Sequence, residues 1–152
     1  MSDPSLDLGV RIGWFAGDQN RPLQTDLPRV IRHVASSTGA DRIIFFGPSA
    51  GGFASLYYSN FFPDSLSVAV NPQTAISRYY GHLAEAYYSA AWPREERRLE
   101  LVDDIVPLYQ EEFTNYVIYL QNSRDDFHLK HHLRPWEEAT SGRLSSRWFL
   151  PV

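Results

Sequence analysis

The segment that most constrains the fold of this 152-residue chain runs from Asp41 to Tyr58 and reads DRIIFFGPSAGGFASLYY. It begins with a continuous apolar run, Ile43–Phe46, which is typical of a strand buried on both faces of a parallel sheet. A cluster of small residues, Gly47–Gly52, follows directly, and beyond it apolar residues recur at helical spacing. The segment therefore predicts a strand, a very tight turn and a helix, which is the repeating unit of α/β folds.

The turn carries a serine between glycines in the pattern G-x-S-x-G, formed by Gly47, Ser49 and Gly51, and Gly52 extends the patch of small residues. In a nucleophile elbow of this pattern, the turn is so tight that small residues must flank the serine, whose hydroxyl is exposed at the edge of the sheet. The N–H of the next residue, Ala50, lies at the helix N-terminus, where developing negative charge is stabilised. The pattern predicts Ser49 as a nucleophile and Ala50 as an oxyanion donor.

The same turn has two other interpretations. In an ordinary glycine-rich turn between a strand and a helix, Ser49 would only cap the helix that follows. A phosphate-binding loop is disfavoured, because no lysine follows the second glycine as the Walker pattern requires. The presence of the strand, the turn and the helix together favours the nucleophile over the cap.

Several stretches of the chain resemble the α/β-hydrolase superfamily, and in particular a bacterial esterase-like branch of it. The matching stretches are SDPSL at residues 2–6, GWFAGD at 13–18, FGPSAGGFASLYY at 46–58, VNPQT at 70–74 and YLQNSRDDFH at 119–128. Similar hydrolase-like domains occur in accessory secretion and cell-surface glycan systems of bacteria. The resemblance implies an α/β fold with a parallel sheet in a three-layer sandwich, and a serine hydrolase or acyltransferase of the carboxylesterase or deacetylase type. We expect no cofactor.

Composition fits one globular domain. The chain is 43% hydrophobic and 21% charged, so residues 1–152 are enough for a single domain with a sizeable core. The formal net charge of −4 argues against nucleic acid or an anionic membrane surface as a partner. The chain has no cysteine, and no basic N-terminal region precedes an apolar run. We therefore expect a cytoplasmic protein that does not insert into a membrane.

Two elements are predicted before the elbow strand. Apolar residues alternate with Gly and Arg over residues 8–14, which predicts a strand or extended arm with one covered face. A helix is then predicted to start at a cap provided by Thr25 or Asp26, with Pro28 in its first turn, and to end at Gly39.

After the elbow helix, the sequence LSVAV at residues 66–70 predicts a second buried strand. Asn71 and Pro72 end it at the carboxyl edge of the sheet, where open α/β sheets bind their ligands. Asn71 and Gln73 are therefore candidate substrate-binding residues, although Asn-Pro is equally typical of a simple turn after a strand. Residues 75–112 read as mainly helical, and their tyrosines either line a pocket or pack in the core.

The sequence YVIYL at residues 116–120 predicts a third buried strand, which is followed by Asp125 and Asp126. An acid just past a strand suits the orienting member of a catalytic triad, because the sheet fixes its position and the loop lets it reach a histidine. By its distance from the strand, Asp125 resembles the hydrolase acid, with Asp126 as the second candidate. The alternative is that one or both cap a helix predicted from Phe127.

Three histidines follow the acid on the same predicted helix, namely His128, His131 and His132. In the hydrolase pattern the histidine comes on a loop after one further strand. That strand is predicted at residues 143–150, and no histidine follows it. His128 is therefore the candidate base, with His131, His132 or a histidine outside this chain as alternatives. His128 and His132 are spaced as metal ligands can be, with Asp125 or Asp126 as a third ligand, but the chain lacks an H-E-x-x-H pattern and we expect no metal.

About one candidate strand precedes the elbow strand, whereas a full α/β-hydrolase has several, together with a loop that gives a second oxyanion N–H. We therefore expect a partial α/β-hydrolase fold, incomplete at both ends, with an oligomer or a partner chain as the candidates to complete its sheet. The predicted reaction is acyl transfer from a small-molecule or glycan ester to water or to a sugar hydroxyl. The alternative is a non-catalytic hydrolase-like module that binds a glycan or a partner protein through its tyrosine-rich segment.

Overall fold

The computed structural model describes residues 2–110, 112–140 and 148–149. Its helices and strands, in chain order, are α1 (Leu23–Thr38), β1 (Ile44–Pro48), α2 (Ala50–Ser59), β2 (Leu66–Val70), α3 (Gly81–Ala91), α4 (Glu95–Arg98), β3 (Tyr116–Leu120), α5 (Asp126–His128), α6 (Arg134–Thr140) and β4 (Trp148–Phe149). Short 3-10 helices lie at Pro4–Leu8 and Val106–Tyr109, and a π-helical turn, Leu129–Leu133, joins α5 to α6. None of the helices within these described ranges combines the length and apolar character needed to cross a lipid bilayer.

The strands form one parallel sheet in the order β1-β2-β3-β4. This confirms the prediction of an α/β fold built on a parallel sheet. Pro48 lies opposite Val70, and Val70 lies opposite Leu120, so the first three strands end in register. The residues that follow these strands are therefore brought to the same edge of the sheet.

The two faces of the sheet differ in burial. On the covered face, Gly47, Ala69 and Tyr119 are buried, and α2 packs against both β1 and β2 there. On the opposite face, 65% of Ile44 and 71% of Phe46 remain exposed. The prediction that the elbow strand is buried on both faces is therefore wrong, because β1 is an edge strand among the described residues and one of its faces is open.

The prediction of a strand over residues 8–14 is also wrong. The chain instead forms a 3-10 helix at Pro4–Leu8 and then an irregular loop. Asp3 draws the loop back by accepting a hydrogen bond from the Phe15 N–H. Trp14 and Phe15 have backbone φ angles of 55° and 54°, which no extended strand can accommodate.

Helix α1 begins earlier than its predicted caps. The N–H groups of Thr25 and Asp26 already donate to the carbonyl of Pro22, which is the residue before the helix. Pro28 consequently lies inside the helix rather than in its first turn. The predicted end is confirmed, since Gly39 adopts a left-handed conformation with φ 63° and caps the C-terminus.

The later elements agree with prediction to different degrees. The strands predicted at residues 66–70 and 116–120 are confirmed at those bounds. Residues 75–112 are less helical than predicted, because the chain after α4 turns back and forms an isolated antiparallel bridge between Ala75 and Asp104. Of the strand predicted at residues 143–150, the part at 148–149 pairs with β3, and the rest lies outside the described residues.

The core lies between the covered face of the sheet and the helices, and it is rich in aromatic side chains. Its fully buried aromatic members are Trp14, Phe53, Tyr87, Tyr109, Tyr119 and Trp136. Each buries a large apolar area, which contributes on the order of 2 kcal/mol per side chain to folding. Tyr87 thus packs in the core instead of lining an open pocket.

Candidate active site

Ser49 lies between β1 and α2 in a conformation that is uncommon for any residue except glycine. Its φ is 52° and its ψ is −117°, and a residue outside glycine reaches this region only where the surrounding structure imposes it. Its side chain makes no capping hydrogen bond to α2. The interpretation of Ser49 as a helix cap is therefore wrong, and the hydroxyl is left available at the turn.

Close backbone approach explains two of the three elbow glycines. A Cβ on Gly47 would overlap the carbonyl group of Gly51, and a Cβ on Gly52 would lie 2.6 Å from the Cβ of Pro72. By contrast, a Cβ on Gly51 would meet only Pro48, at an ordinary 3.5 Å. The turn therefore needs glycine at positions 47 and 52, while position 51 has room for a methyl group.

Ala50 is the first residue of α2. An N–H at this position has no acceptor within its own helix. The N–H groups of Gly52 and Phe53, one turn further on, already donate to the Ser49 carbonyl at 3.0 and 3.2 Å. The Ala50 N–H directly follows Ser49 in the chain and lies at the positive end of the helix dipole.

The Ser49 hydroxyl accepts a hydrogen bond from Gln73. The distance from Gln73 Nε2 to Ser49 Oγ is 2.8 Å, and the other end of the amide accepts a hydrogen bond from the Trp14 indole N–H. Gln73 is fully buried. It therefore belongs to the wall beneath the serine and is further from solvent than a residue at a pocket rim.

Asn71 contacts the candidate acid instead of the serine. Its Nδ2 donates to Asp125 Oδ2 at 2.8 Å, and its Oδ1 accepts a hydrogen bond from Gln121. Asn71 has a φ of 45°, a conformation that asparagine tolerates better than most residues. The turn after β2 therefore directs the Asn71 side chain across the sheet edge, where it binds Asp125.

Asp125 combines the two roles that the sequence left open. It caps α5, since its Oδ1 accepts a hydrogen bond from the His128 N–H at 3.0 Å. Its Oδ2 also lies 2.9 Å from His128 Nδ1. Partial burial opposes ionisation of this carboxyl, but the hydrogen bonds from His128 and Asn71 outweigh it and lower the pKa of Asp125 below its ordinary value. The second candidate, Asp126, is exposed in the first turn of α5.

His128 is buried, and it is the histidine that Asp125 contacts. The 2.9 Å approach of Nδ1 to the carboxylate is an ion-pair distance without the alignment of a hydrogen bond. Catalytic hydrogen bonds are often loose in this way before substrate binds. Among the described residues, the Nε2 of His128 has no hydrogen-bond partner. With the proton on Nδ1 facing the acid, Nε2 carries an unpaired lone pair that is buried from solvent.

The other two histidines have different surroundings. His132 is fully buried, and its Nδ1 accepts a hydrogen bond from the Thr74 N–H at 3.1 Å, so its proton is on Nε2. Burial lowers the pKa of His132 to about 3, so this ring stays neutral. His131 packs against the ring of Phe127. Neither is as well placed to act as a base as His128.

The arrangement of the histidines does not favour a metal ion. The rings of His128 and His132 have their centroids 5.2 Å apart, but the Nδ1 of the first faces Asp125 and the Nδ1 of the second is occupied by a backbone N–H. In the part of the chain that the structure describes, no group of three or more His, Cys, Asp or Glu side chains is arranged to hold a metal.

The serine and the acid–histidine pair are attached to the same strand end. The Ser49 N–H donates to the carbonyl of Val70, the last residue of β2, at 2.9 Å, and the next residue, Asn71, holds Asp125. The ring of Tyr79 contacts both Trp14 and His128, with centroids 6.1 Å apart in each pair. Among the described residues, no direct hydrogen bond joins Ser49 to His128.

Sequence reasoning missed one residue of this site, Trp14, which ends the segment predicted as a strand. Tyr79 and Tyr87 are the tyrosines that the sequence offers as binding residues of a non-catalytic module, and of these two only Tyr79 contacts His128. Only the fold reveals that Trp14 reaches Gln73, which is 59 positions away along the chain. The alternation of apolar residues up to Trp14 is typical of a strand, and the contacts that hold the loop instead are distant in sequence.

Comparison with known proteins identifies no relative. Searches of protein-family models, curated proteins and solved structures found no match to this chain.

Proposed function

We propose that the chain carries out serine-dependent acyl transfer on an ester, as a hydrolase or acyltransferase of the carboxylesterase or deacetylase type on a partial α/β-hydrolase fold. Ser49 is the nucleophile, His128 the base, Asp125 the residue that orients the base, and Ala50 an oxyanion donor. The observation that carries the proposal is the backbone of Ser49, whose positive φ holds a hydroxyl that the helix does not use as a cap. Strain of this kind is characteristic of nucleophile elbows.

In the first half of the reaction, Ser49 Oγ attacks the carbonyl carbon of the ester. The Oγ proton passes to the free Nε2 of His128, and the electron pair of the carbonyl π bond moves to its oxygen, which the Ala50 N–H stabilises. When the tetrahedral intermediate collapses, the bond to the alcohol breaks and that alcohol takes the proton from His128. A water molecule or a sugar hydroxyl then gives its proton to His128 Nε2 and attacks the acyl carbon on Ser49. The bond between that carbon and Oγ breaks, and Oγ takes the proton back from His128.

The lowered pKa of Asp125 supports this division of roles. The carboxyl is ionised throughout the neutral pH range, so it holds the proton of His128 on Nδ1 and stabilises the imidazolium that forms when Nε2 takes the serine proton. Asn71 Nδ2 donates at 2.8 Å to Asp125 Oδ2, which is also the carboxylate oxygen that faces His128 Nδ1. His128 has to come within hydrogen-bond reach of Ser49 when substrate binds, a tightening that free enzymes commonly show.

Aromatic side chains beside His128 favour a substrate with an apolar or sugar face. Tyr80 stacks on Phe127 with ring centroids 4.4 Å apart and an angle of 20° between the planes. Tyr80 is 45% exposed, and the rings of Tyr79 and Phe127 both contact His128. Acyl chains and the apolar faces of sugars both pack well on such rings. The proposed substrates are therefore small-molecule or glycan esters.

The test is covalent labelling with a fluorophosphonate probe, followed by intact-mass and peptide mass spectrometry. Folded protein is expected to gain one adduct at Ser49. Ser49→Ala should abolish it, and Asp125→Asn should slow it by about 10²–10⁴-fold, because an asparagine favours the wrong tautomer of the histidine. The Asn side chain keeps an acceptor for the His128 N–H, so the cap of α5 is retained.

Ser37→Ala is the matched control, since Ser37 is an exposed serine on α1 and its replacement should leave the labelling rate unchanged. Protein unfolded in urea gives the labelling rate of a serine without a folded site. If folded protein labels no faster than unfolded protein, Ser49 is not a primed nucleophile and the proposed function is wrong.

The exposed stack of Tyr80 on Phe127 also supports a second candidate, a module that binds a glycan without catalysis. In that case Ser49→Ala would leave glycan binding intact, whereas Tyr80→Ala would remove it. Tyr87 is unsuitable for this test, because it is fully buried and its loss would destabilise the core. A glycan array probed with wild-type protein and both variants separates the two candidates.

A further inference from the structure

The wall beneath Ser49 contains a buried amide whose orientation is fixed by its neighbours. The oxygen Oε1 of Gln73 accepts a hydrogen bond from the Trp14 indole N–H. An indole nitrogen can only donate, so the end of the amide that faces Trp14 must be the oxygen. The NH2 end of Gln73 therefore faces the serine, with Nε2 2.8 Å from Ser49 Oγ.

We propose that Gln73 is the second oxyanion donor of the Ser49 site, beside the Ala50 N–H. This inference rests on the proposed function and supplies a donor that the sequence of a partial hydrolase fold was expected to lack. Once Oγ has attacked a carbonyl, Oγ and the oxyanion are bonded to the same carbon atom. A donor in contact with Oγ therefore adjoins the oxyanion as well, and the side-chain amides of Asn and Gln act in this way in acyl-transfer sites.

The burial of Gln73 increases the effect of its hydrogen bond. A donor that is oriented before the reaction and shielded from water stabilises developing charge without any reorganisation. The backbone N–H of Gln73 also donates to the Ser49 carbonyl at 3.2 Å. Both the main chain and the side chain of Gln73 are thus anchored to the elbow, so the amide cannot drift away from the reacting atoms.

Trp14 is a positioning residue for this donor. Its side chain is fully buried, and its loop is held by the hydrogen bond from the Phe15 N–H to Asp3. Without the indole N–H, the Gln73 amide would be free to rotate and present its oxygen to Ser49. A carbonyl oxygen facing the oxyanion would repel it, so loss of the indole N–H is expected to slow the reaction even though Trp14 does not contact Ser49.

The experiment measures the second-order rate constant for fluorophosphonate labelling of Ser49 in wild-type protein and in Gln73→Met, Gln73→Glu and Trp14→Phe. Both Gln73 variants remove the donor, and labelling should slow by about 10²–10³-fold. Trp14→Phe should slow labelling by a smaller factor. The matched control is Gln24→Leu, which removes two hydrogen bonds to Val102, at 2.8 and 2.9 Å, outside the Ser49 site and should leave the rate unchanged.

Hydrolysis of p-nitrophenyl acetate by the same proteins gives a second measure. An oxyanion donor acts in the transition state, so the Gln73 variants should lose kcat while KM stays near the wild-type value. Far-UV circular dichroism and thermal melts establish which variants are folded, and Trp14→Phe, which retains an aromatic ring in the core, decides the question if the Gln73 variants do not fold.

The outcomes are distinct. If wild-type protein labels at Ser49 and the folded Gln73 variants label equally fast, Gln73 is not an oxyanion donor and the proposed function stands without it. If Trp14→Phe is the only folded variant and labels at the wild-type rate, the inference is likewise overturned. If wild-type Ser49 does not label at all, the proposed function fails and this inference fails with it.

Discussion

At the scale of single residues, the turn at Ser49 combines a strained backbone with a hydroxyl that does not cap the helix. Its φ of 52° costs on the order of 1–3 kcal/mol for a residue with a side chain. The hydroxyl is bound by Gln73 and the backbone by Val70, so the contacts around the turn impose the conformation. The strain is a property of the backbone, and it can be measured separately from the chemistry of the hydroxyl.

Comparison of Ser49→Gly with Ser49→Ala isolates that strain. Both variants lack the hydroxyl and should be inactive, but only glycine relaxes the positive φ. After allowance for the greater entropy of glycine in the unfolded chain, Ser49→Gly should be about 1 kcal/mol more stable than Ser49→Ala. Urea unfolding monitored by tryptophan fluorescence gives the difference. Equal stability of the two variants would show that the turn stores no strain at this position.

His132 predicts a dependence of stability on pH. Burial lowers its pKa to about 3 in the folded protein, whereas a histidine in the unfolded chain titrates near 6.5. Above pH 6.5 both states are neutral and the stability is fully present. As the pH falls below 6.5 the unfolded state takes up a proton that the folded state does not, so stability is lost at up to about 1.4 kcal/mol per pH unit.

His132→Asn removes the titrating group while its Oδ1 can still accept the Thr74 N–H. The variant should be less stable than wild type at every pH because it leaves a cavity, yet its stability should fall less steeply between pH 7.5 and 5.5. Urea unfolding at several pH values in this range measures both slopes. Parallel slopes in the two proteins would show that His132 is not the residue that couples stability to pH.

At the scale of elements, the stretch after β2 organises the site. Four consecutive residues, Asn71–Thr74, reach three different parts of it: Asn71 donates to the acid, Gln73 to the serine, and the Thr74 N–H to a histidine. Pro72 meanwhile lies against Gly52 on the elbow helix. A shift of this stretch would therefore disturb the nucleophile and the acid–histidine pair together.

Alanine substitutions at the two adjacent elbow glycines test this packing. Gly52→Ala would place a Cβ 2.6 Å from that of Pro72, and the overpacking should cost about 1–3 kcal/mol of stability and slow Ser49 labelling. Gly51→Ala meets only an ordinary contact, and the better helix propensity of alanine should stabilise the protein by up to about 1 kcal/mol. Thermal melts and labelling rates of both variants provide the measurement. Equal tolerance of the two substitutions would contradict this account.

Prediction from sequence succeeded for elements whose signal is local. The strands at residues 66–70 and 116–120 are short apolar runs between turn residues, and such runs specify a strand with little help from the rest of the fold. The alternation at residues 8–14 failed because Asp3 and the loop at Trp14 impose another conformation through contacts distant in sequence. For the same reason the link from Trp14 to Gln73 could not be predicted, whereas Ser49 and Asp125 could be named as candidates because each follows a predicted strand.

At the scale of the whole molecule, the open face of the sheet stands out. Parallel sheets normally have both faces covered, but Ile44 and Phe46 on β1 are 65% and 71% exposed, and Tyr116 on the same face is 39% exposed. Contiguous apolar surface of this kind marks an interaction site or an aggregation-prone region. The core therefore explains why the residues on the covered face are apolar, but it does not explain the apolar residues on the open face.

The open face predicts self-association of this chain as the concentration rises. Phe46→Lys places a charge on the open face and should shift the apparent mass from light scattering towards that of one chain, because burying the ammonium group in a contact is costly. Since Phe46 is largely exposed, its replacement should change the melting temperature little. Leu99→Lys is the matched control: Leu99 is 86% exposed near α4, away from the sheet, and its substitution should leave the association unchanged. A wild-type protein that stays monomeric at all concentrations, or an equal effect of the two lysines, would show that the open face does not drive association.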